Sequence, residues 1–166
     1  MRNVSVAIAA ALMGIALYFA LTFGFVALQA LTSPAYGLDD IWHSQFIFTL
    51  GRFFGLTPAG LVKLAAFIAA AKLVAAGFCA LHVIDRARGV PRTEFLEGAM
   101  ILVAALALAS LTPAAWSHGG DVIGESVLQL GIALFAIALC VAERRFDQRV
   151  EADALTETDG AYPLPN

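Results

Sequence analysis

The sequence predicts an all-α polytopic membrane protein, a four-transmembrane-helix bundle with an amphipathic interfacial helix in the first outer loop. Composition is one reason: 60% of the 166 residues are hydrophobic and 14% are charged, whereas soluble domains carry about 25% charged residues. The other is that the apolar residues form four stretches, each long enough for the about 20 residues that cross a bilayer. The predicted membrane domain is 1–146, with helices at 4–31, 59–84, 95–115 and 122–142.

The first stretch is predicted to be a transmembrane helix. Its apolar run extends from Val4 to Leu31, well beyond the about 7–15 residues of a signal-peptide core. The segment LTSPAYG that follows loosely matches a cleavage site, so a cleaved signal peptide is the alternative interpretation.

The first outer loop is rich in aromatic residues. Trp42, Phe46 and Phe53 recur at helical spacing among polar residues, which predicts an interfacial helix on the outer leaflet. A short re-entrant segment is the alternative. Trp116, in the second outer loop, is expected in the aromatic belt at the membrane surface.

The inner loop and the C-terminal tail complete the predicted organisation. Gly89 and Pro91 break the helix in the inner loop, and Thr93 is placed to begin the third helix. The tail, 147–166, is acidic and poor in large apolar residues, so it is predicted to be disordered in the cytoplasm. A solvated terminus is favoured there over a peptide that binds a partner.

Basic residues set the predicted orientation, because cytoplasmic loops are enriched in Lys and Arg. With the N-terminus inside, seven of the ten basic residues are cytoplasmic, whereas Arg52 lies outside and Lys63 at the outer border. We therefore expect both termini in the cytoplasm, with the protein in a bacterial inner membrane. The seven residues are Arg2, Arg86, Arg88, Arg92, Arg144, Arg145 and Arg149.

Lys72 lies in the middle of the second apolar stretch, where a charge costs at least about 2.5–3.5 kcal/mol. It shares one helix face with small residues, which favour helix contacts in membranes, so Lys72 is expected to face protein. Facing stripes on the first and fourth helices then predict a polar cluster of Lys72, Tyr18, Thr22 and Gln129. The three stripes are Ala65, Ala69, Lys72, Ala76 and Cys79; Ala11, Gly14, Tyr18, Thr22, Phe25 and Gln29; and Gln129, Ala133, Ala136 and Cys140.

No acidic residue is expected at the depth of Lys72, since Asp85, Glu125 and Glu143 lie towards the ends of their segments. Three interpretations of Lys72 follow. It is a structural lysine bonded to polar groups of the bundle; it meets a carboxylate or lipid phosphate of a partner subunit; or it binds an anionic or carbonyl group for transport.

Two further groups of residues have more than one interpretation. His43 and Asp39 in the first outer loop, with His118 and Asp121 in the second, could bind zinc or copper; the alternative is that they are turn and cap residues. We predict no other cofactor.

Cys79 and Cys140 are expected to be packing residues rather than a disulfide, and His82 is expected to be an interface residue.

The function classes that lack a motif are enzymes and nucleic-acid-binding proteins. The sequence contains no nucleophile with an adjacent base and no glycine-rich phosphate loop, and topology already explains its basic residues. We therefore expect a small non-catalytic accessory or assembly subunit, whose partners are the lipid bilayer and a larger membrane complex or further copies of itself. The alternative is a small transporter or channel component with an intramembrane lysine site.

Overall fold

The structure, a computed structural model, describes residues 2–33, 47–48, 51–90, 92–117 and 120–159. Each of its four long helices contains a segment that is long and apolar enough to cross a membrane. The predicted class, an all-α protein with four membrane-spanning helices, is therefore confirmed for the described part of the chain. The helices are α1 (Arg2–Thr32), α2 (Pro58–Ala87), α3 (Glu94–Ser117) and α4 (Gly120–Asp159).

The four helices form a closed ring. Consecutive helices pack against each other, and α4 packs against α1. The two pairs of diagonally opposite helices contribute core side chains of different size. Helices α1 and α3 supply the large buried side chains, whereas α2 and α4 supply mainly small ones. Small residues let neighbouring backbones approach, and large side chains fill the space between them. The large residues are Leu12, Phe19, Phe23, Leu96, Met100 and Val103, and the small ones are Ala75, Ala76, Cys79, Ala133, Ala136 and Cys140.

The predicted buried faces of α2 and α4 are confirmed, but the predicted face of α1 is wrong. On α1, Tyr18 is 45% exposed and Phe25 is 72% exposed. The buried stripe lies about 130° around the helix, at 100° per residue. The small and polar residues of α1 predicted the wrong buried side. Its large side chains are buried instead, because they fill the space opposite the small faces of α2 and α4. The buried stripe is Leu12, Ala16, Phe19, Phe23, Ala27 and Ala30.

The connection between α2 and α3 is a tight turn that follows from its sequence. Gly89 takes a positive φ of 77°, a conformation that suits glycine at the end of a helix. The amide of Val90 donates to the carbonyl of Asp85 over 2.9 Å, as expected for a Schellman motif. The amide of Glu97 then donates to the carbonyl of Thr93 over 2.9 Å, and α3 begins where the cap predicts. We refer to this side of the bundle as the α2–α3 end.

Part of the segment before α2 is helical, at residues 47–48 and 51–53. Ile47 is buried, Phe48 and Phe53 are exposed, and Gly51 packs directly against Leu61 of α2. The interfacial position of this segment stays a prediction, and Trp42 and Phe46 lie outside the described residues.

Replacing Gly51 with Ala is expected to lower the free energy of unfolding by about 1 kcal/mol, because the added Cβ collides with the Leu61 side chain. Gly98→Ala on α3 is the matched control, since a Cβ there meets nothing within 4 Å. Alanine in a helix should leave that variant unchanged or stabilise it by up to about 1 kcal/mol. Denaturant titration in detergent micelles measures both, and equal effects would contradict the close packing at Gly51.

The fourth helix extends past its predicted end at residue 142 into the C-terminal tail, and the predicted disorder and cytoplasmic location of the tail stay predictions. Helix α4 continues to Asp159, so the predicted tail is helical at 147–159, and 160–166 lie outside the described residues. The physical reason is that neither glycine nor proline occurs between Gly131 and Gly160. Without such a residue to end it, a helix already formed in the membrane adds further residues at little cost.

Candidate functional site

Lys72 lies halfway along α2 and is half-buried. Its ammonium Nζ is 5.6 Å from the centre of the Phe23 ring on α1, which is within the range of a cation–π interaction. Lys72 therefore faces protein, as the small-residue stripe predicted. An aromatic ring, rather than a predicted polar partner, occupies the space in front of it.

A carboxylate of α4 acts on Lys72 electrostatically without a described contact between the two side chains, and the expectation that no acid lies at the depth of Lys72 stays a prediction. Glu125 of α4 interacts with the lysine electrostatically, and its Oε1 accepts a hydrogen bond from Gln129 Nε2 over 2.9 Å. Gln129 and Glu125 are one turn apart on the same side of α4. The long side chain of a lysine lets its ammonium approach groups that lie at a different depth from its own Cα.

The other two members of the predicted polar cluster contact each other. The Thr22 hydroxyl donates to the backbone carbonyl of Tyr18 over 2.7 Å, and the Tyr18 ring packs edge-to-face against Phe19, with centroids 5.2 Å apart. Among the described residues, no hydrogen bond joins Tyr18, Thr22 or Gln129 to Lys72. The polar cluster as a unit of four residues thus stays a prediction.

A second polar group lies at the α2–α3 end, and we call it the ion-pair cluster: His82, Arg86, Glu97, Glu143 and Arg144. Arg86 Nη2 of α2 forms an ion pair with Glu143 Oε1 of α4. Arg144 Nη2 of α4 pairs with Glu97 Oε1 of α3 at 2.5 Å. The two ion pairs therefore connect three of the four helices at one end of the bundle.

The two ion pairs differ in burial. The side chains of Arg86 and Glu143 are 13% and 8% exposed, whereas those of Arg144 and Glu97 are 54% and 24% exposed. A solvent-exposed pair contributes about 0–1 kcal/mol, but a buried pair leaves an uncompensated charge when either partner is removed. The connection between α2 and α4 is thus the one that matters for stability.

His82 is fully buried beside the inner pair. Its Nδ1 lies 2.9 Å from the backbone carbonyl oxygen of Arg92 in the turn before α3. This bond attaches α2 to the turn. Its Nε2 and the Oε2 of Glu143 are buried, and neither has a hydrogen-bond partner among the described residues.

We did not predict this cluster from the sequence, although the small-residue stripes of α2 and α4 lead to it. Extending the small-residue stripe of α2 by three residues beyond Cys79 reaches His82, and extending that of α4 beyond Cys140 reaches Glu143. We expected His82 at the interface and Glu143 at the membrane border, because loops and helix ends are commonly polar. Continuing the buried face by one more turn would have placed both side chains inside the bundle.

The cysteines occupy the positions expected of packing residues. Cys79 and Cys140 are both free and buried, and both belong to the hydrophobic core.

Three of the four predicted metal ligands lie outside the described residues, namely His43, Asp39 and His118. Asp121 lies in the first turn of α4, and its side chain is not among those that the structure describes. In the part of the chain that the structure describes, no group of three or more His, Cys, Asp or Glu side chains could hold a metal ion. The predicted zinc or copper site in the loops stays a prediction.

The surface aromatics are placed only in part. Phe53 is 57% exposed. Trp116 lies in α3, and its side chain is not among those that the structure describes.

Comparison of the chain with protein-family models, with curated proteins and with solved structures found no match.

Proposed function

We propose that this small integral membrane protein is a non-catalytic accessory or assembly subunit of a larger membrane complex. The observation that carries the proposal is the outward surface of α1, which we call the Tyr18 face: Ala7, Ala11, Gly14 and Tyr18. All four residues are exposed, and they recur at spacings of four and three residues on one side of the helix.

The Tyr18 face has the composition of a helix interface. Without a hydrophobic driving force in lipid, membrane helices associate through small residues and interhelical hydrogen bonds. Ala7, Ala11 and Gly14 leave a shallow groove in which another helix could approach closely. A second transmembrane helix packed there would bury these residues.

Tyr18 supports the same conclusion through its hydroxyl. Tyrosines in membrane proteins concentrate at the two interfaces, but Tyr18 lies near the middle of the span Val6–Thr32. It is 45% exposed, and its hydroxyl has no hydrogen-bond partner among the described residues. A hydroxyl in hydrocarbon without a partner is unfavourable, so an acceptor on a neighbouring polypeptide would stabilise it.

The orientation and the membrane belong to the same proposal. Arg88 and Arg92 at the α2–α3 end, and Arg145 and Arg149 on the later part of α4, are exposed. Their concentration on one side supports cytoplasmic termini by the positive-inside rule, and a bacterial inner membrane is the location that we propose.

A photo-activatable amino acid at Gly14, introduced in cells, tests the proposal. We expect a discrete crosslinked product with another membrane protein, and none from the same probe at Ile101, which is 62% exposed on the diagonally opposite helix. Tyr18→Phe should reduce the yield about three- to fivefold, because a hydrogen bond in a membrane contributes about 0.6–1 kcal/mol.

Two outcomes would contradict the subunit proposal. Adducts with lipid alone at Gly14 would mean that the Tyr18 face contacts the bilayer. A product of twice the mass of the chain would mean a homo-oligomer instead of a larger complex.

A transporter or channel component built around Lys72 receives less support. The ammonium already faces the Phe23 ring and interacts with Glu125, so no group on a substrate is needed to account for its position. The centre of the bundle is filled by fully buried side chains, including Phe19, Met100 and Val103. A core packed with side chains favours a subunit over a protein with a passage to Lys72.

A further inference from the structure

The ion-pair cluster contains two buried hydrogen-bond acceptors that no described donor reaches. His82 Nδ1 bonds the carbonyl oxygen of Arg92. A carbonyl can only accept, so Nδ1 carries the hydrogen and Nε2 of the neutral ring presents a lone pair. Glu143 uses Oε1 for Arg86, which leaves Oε2 as the second acceptor. Both Nε2 and Oε2 are buried without a partner.

The two acceptors belong to one small region. His82 and Arg86 are one turn apart on the same side of α2, where side chains are neighbours. Arg86 holds the Glu143 carboxylate, and this carboxylate interacts electrostatically with the imidazole. The other charged group that acts on the imidazole is Asp85 of α2, and Glu97 and Arg144 of the cluster bond each other.

Two acceptors cannot bond each other, and each unsatisfied group costs about 1–3 kcal/mol. The species that satisfies both must carry two donor hydrogens and must be small enough for a buried site. We propose that the ion-pair cluster binds one water molecule, which donates one hydrogen to His82 Nε2 and the other to Glu143 Oε2.

The surroundings of the cluster suit this ligand. A buried water typically makes about three hydrogen bonds, and the Arg86 guanidinium has further N–H groups that can donate to the water oxygen. The cluster also adjoins the turn at the α2–α3 end, so the water has a short route to the aqueous phase. It links α2, α4 and, through His82, the turn that begins α3.

Nitrogen-15 NMR of the full-length protein in lipid bilayers tests the proposal. The chain has three histidines, so the His43→Asn/His118→Asn double variant leaves His82 as the sole ring signal. At neutral pH we expect a neutral ring with hydrogen on Nδ1, and magnetisation transfer from water protons to Nε2. A ring with hydrogen on Nε2, a doubly protonated ring, or no transfer from water would overturn the proposal.

Glu143→Gln and Glu97→Gln are the matched variants in that background. Glu143→Gln supplies an amide that can donate to Nε2 in place of the water, so transfer from water should be lost. Glu97→Gln alters the exposed ion pair, whose members do not bond His82. Magnetisation transfer from water to His82 Nε2 should therefore be retained in this variant. Equal magnetisation transfer in both variants would overturn the proposal. If Glu143→Gln fails to fold, the measurement on His82 in the double histidine variant alone decides the proposal.

Discussion

Replacing Glu143 with Ala is expected to lower the free energy of unfolding by about 3 kcal/mol, because it leaves the Arg86 guanidinium buried without its partner. This is the lower end of the usual range for breaking a buried pair, since Arg86 is still 13% exposed. Denaturant titration in mixed micelles, followed by helical circular dichroism, measures the difference.

Arg144→Ala is the matched control for this prediction, on the neighbouring residue of α4. Its ion pair with Glu97 is largely exposed, so the loss should be at most about 1 kcal/mol. The double variant Arg86→Met/Glu143→Leu should recover most of the stability, because apolar replacement of both partners removes the stranded charge. If Glu143→Ala and Arg144→Ala cost the same, the inner pair does not have the importance that its burial implies.

Replacing Phe19 with Ala is expected to cost about 2–3 kcal/mol of unfolding free energy. Phe19 is fully buried and is the largest such side chain among the residues that the structure describes. In a soluble core the same change costs about 3–5 kcal/mol, which includes transfer of the ring from water. A membrane protein that unfolds in lipid or detergent keeps its side chains in an apolar medium, so the packing and cavity contribution alone remains.

Phe25→Ala provides the control on the same helix, with the same change in volume. Phe25 is 72% exposed and should be close to neutral in unfolding free energy. A comparison of the two variants also tests the orientation of α1, because the small and polar stripe of the sequence predicted Phe25 inside the bundle. A larger loss at Phe25 than at Phe19 would contradict the packing described for α1.

The ion-pair cluster also shows why the site was harder to predict than the spans. Arg86 and Glu143 are 57 residues apart, and their helices occupy diagonal positions in the ring, so no local pattern pairs them. Glu125 acts on Lys72 from the diagonally opposite helix, so this interaction also depends on how α2 and α4 are set against each other along the bundle. Both interactions depend on relations between helices that a single segment does not encode.

The sequence by itself determined the four spans, their connections near Gly89 and Thr93, and the small-residue faces of α2 and α4. These features follow from local chemistry: a bilayer requires long apolar helices, glycine permits the tight turn, and small residues favour helix contacts. Only the tertiary structure decided which side of α1 is buried, and which charges meet at the α2–α3 end. In lipid both sides of a helix are apolar, so hydrophobicity does not distinguish them, and the buried side is selected by the shapes of the neighbouring helices.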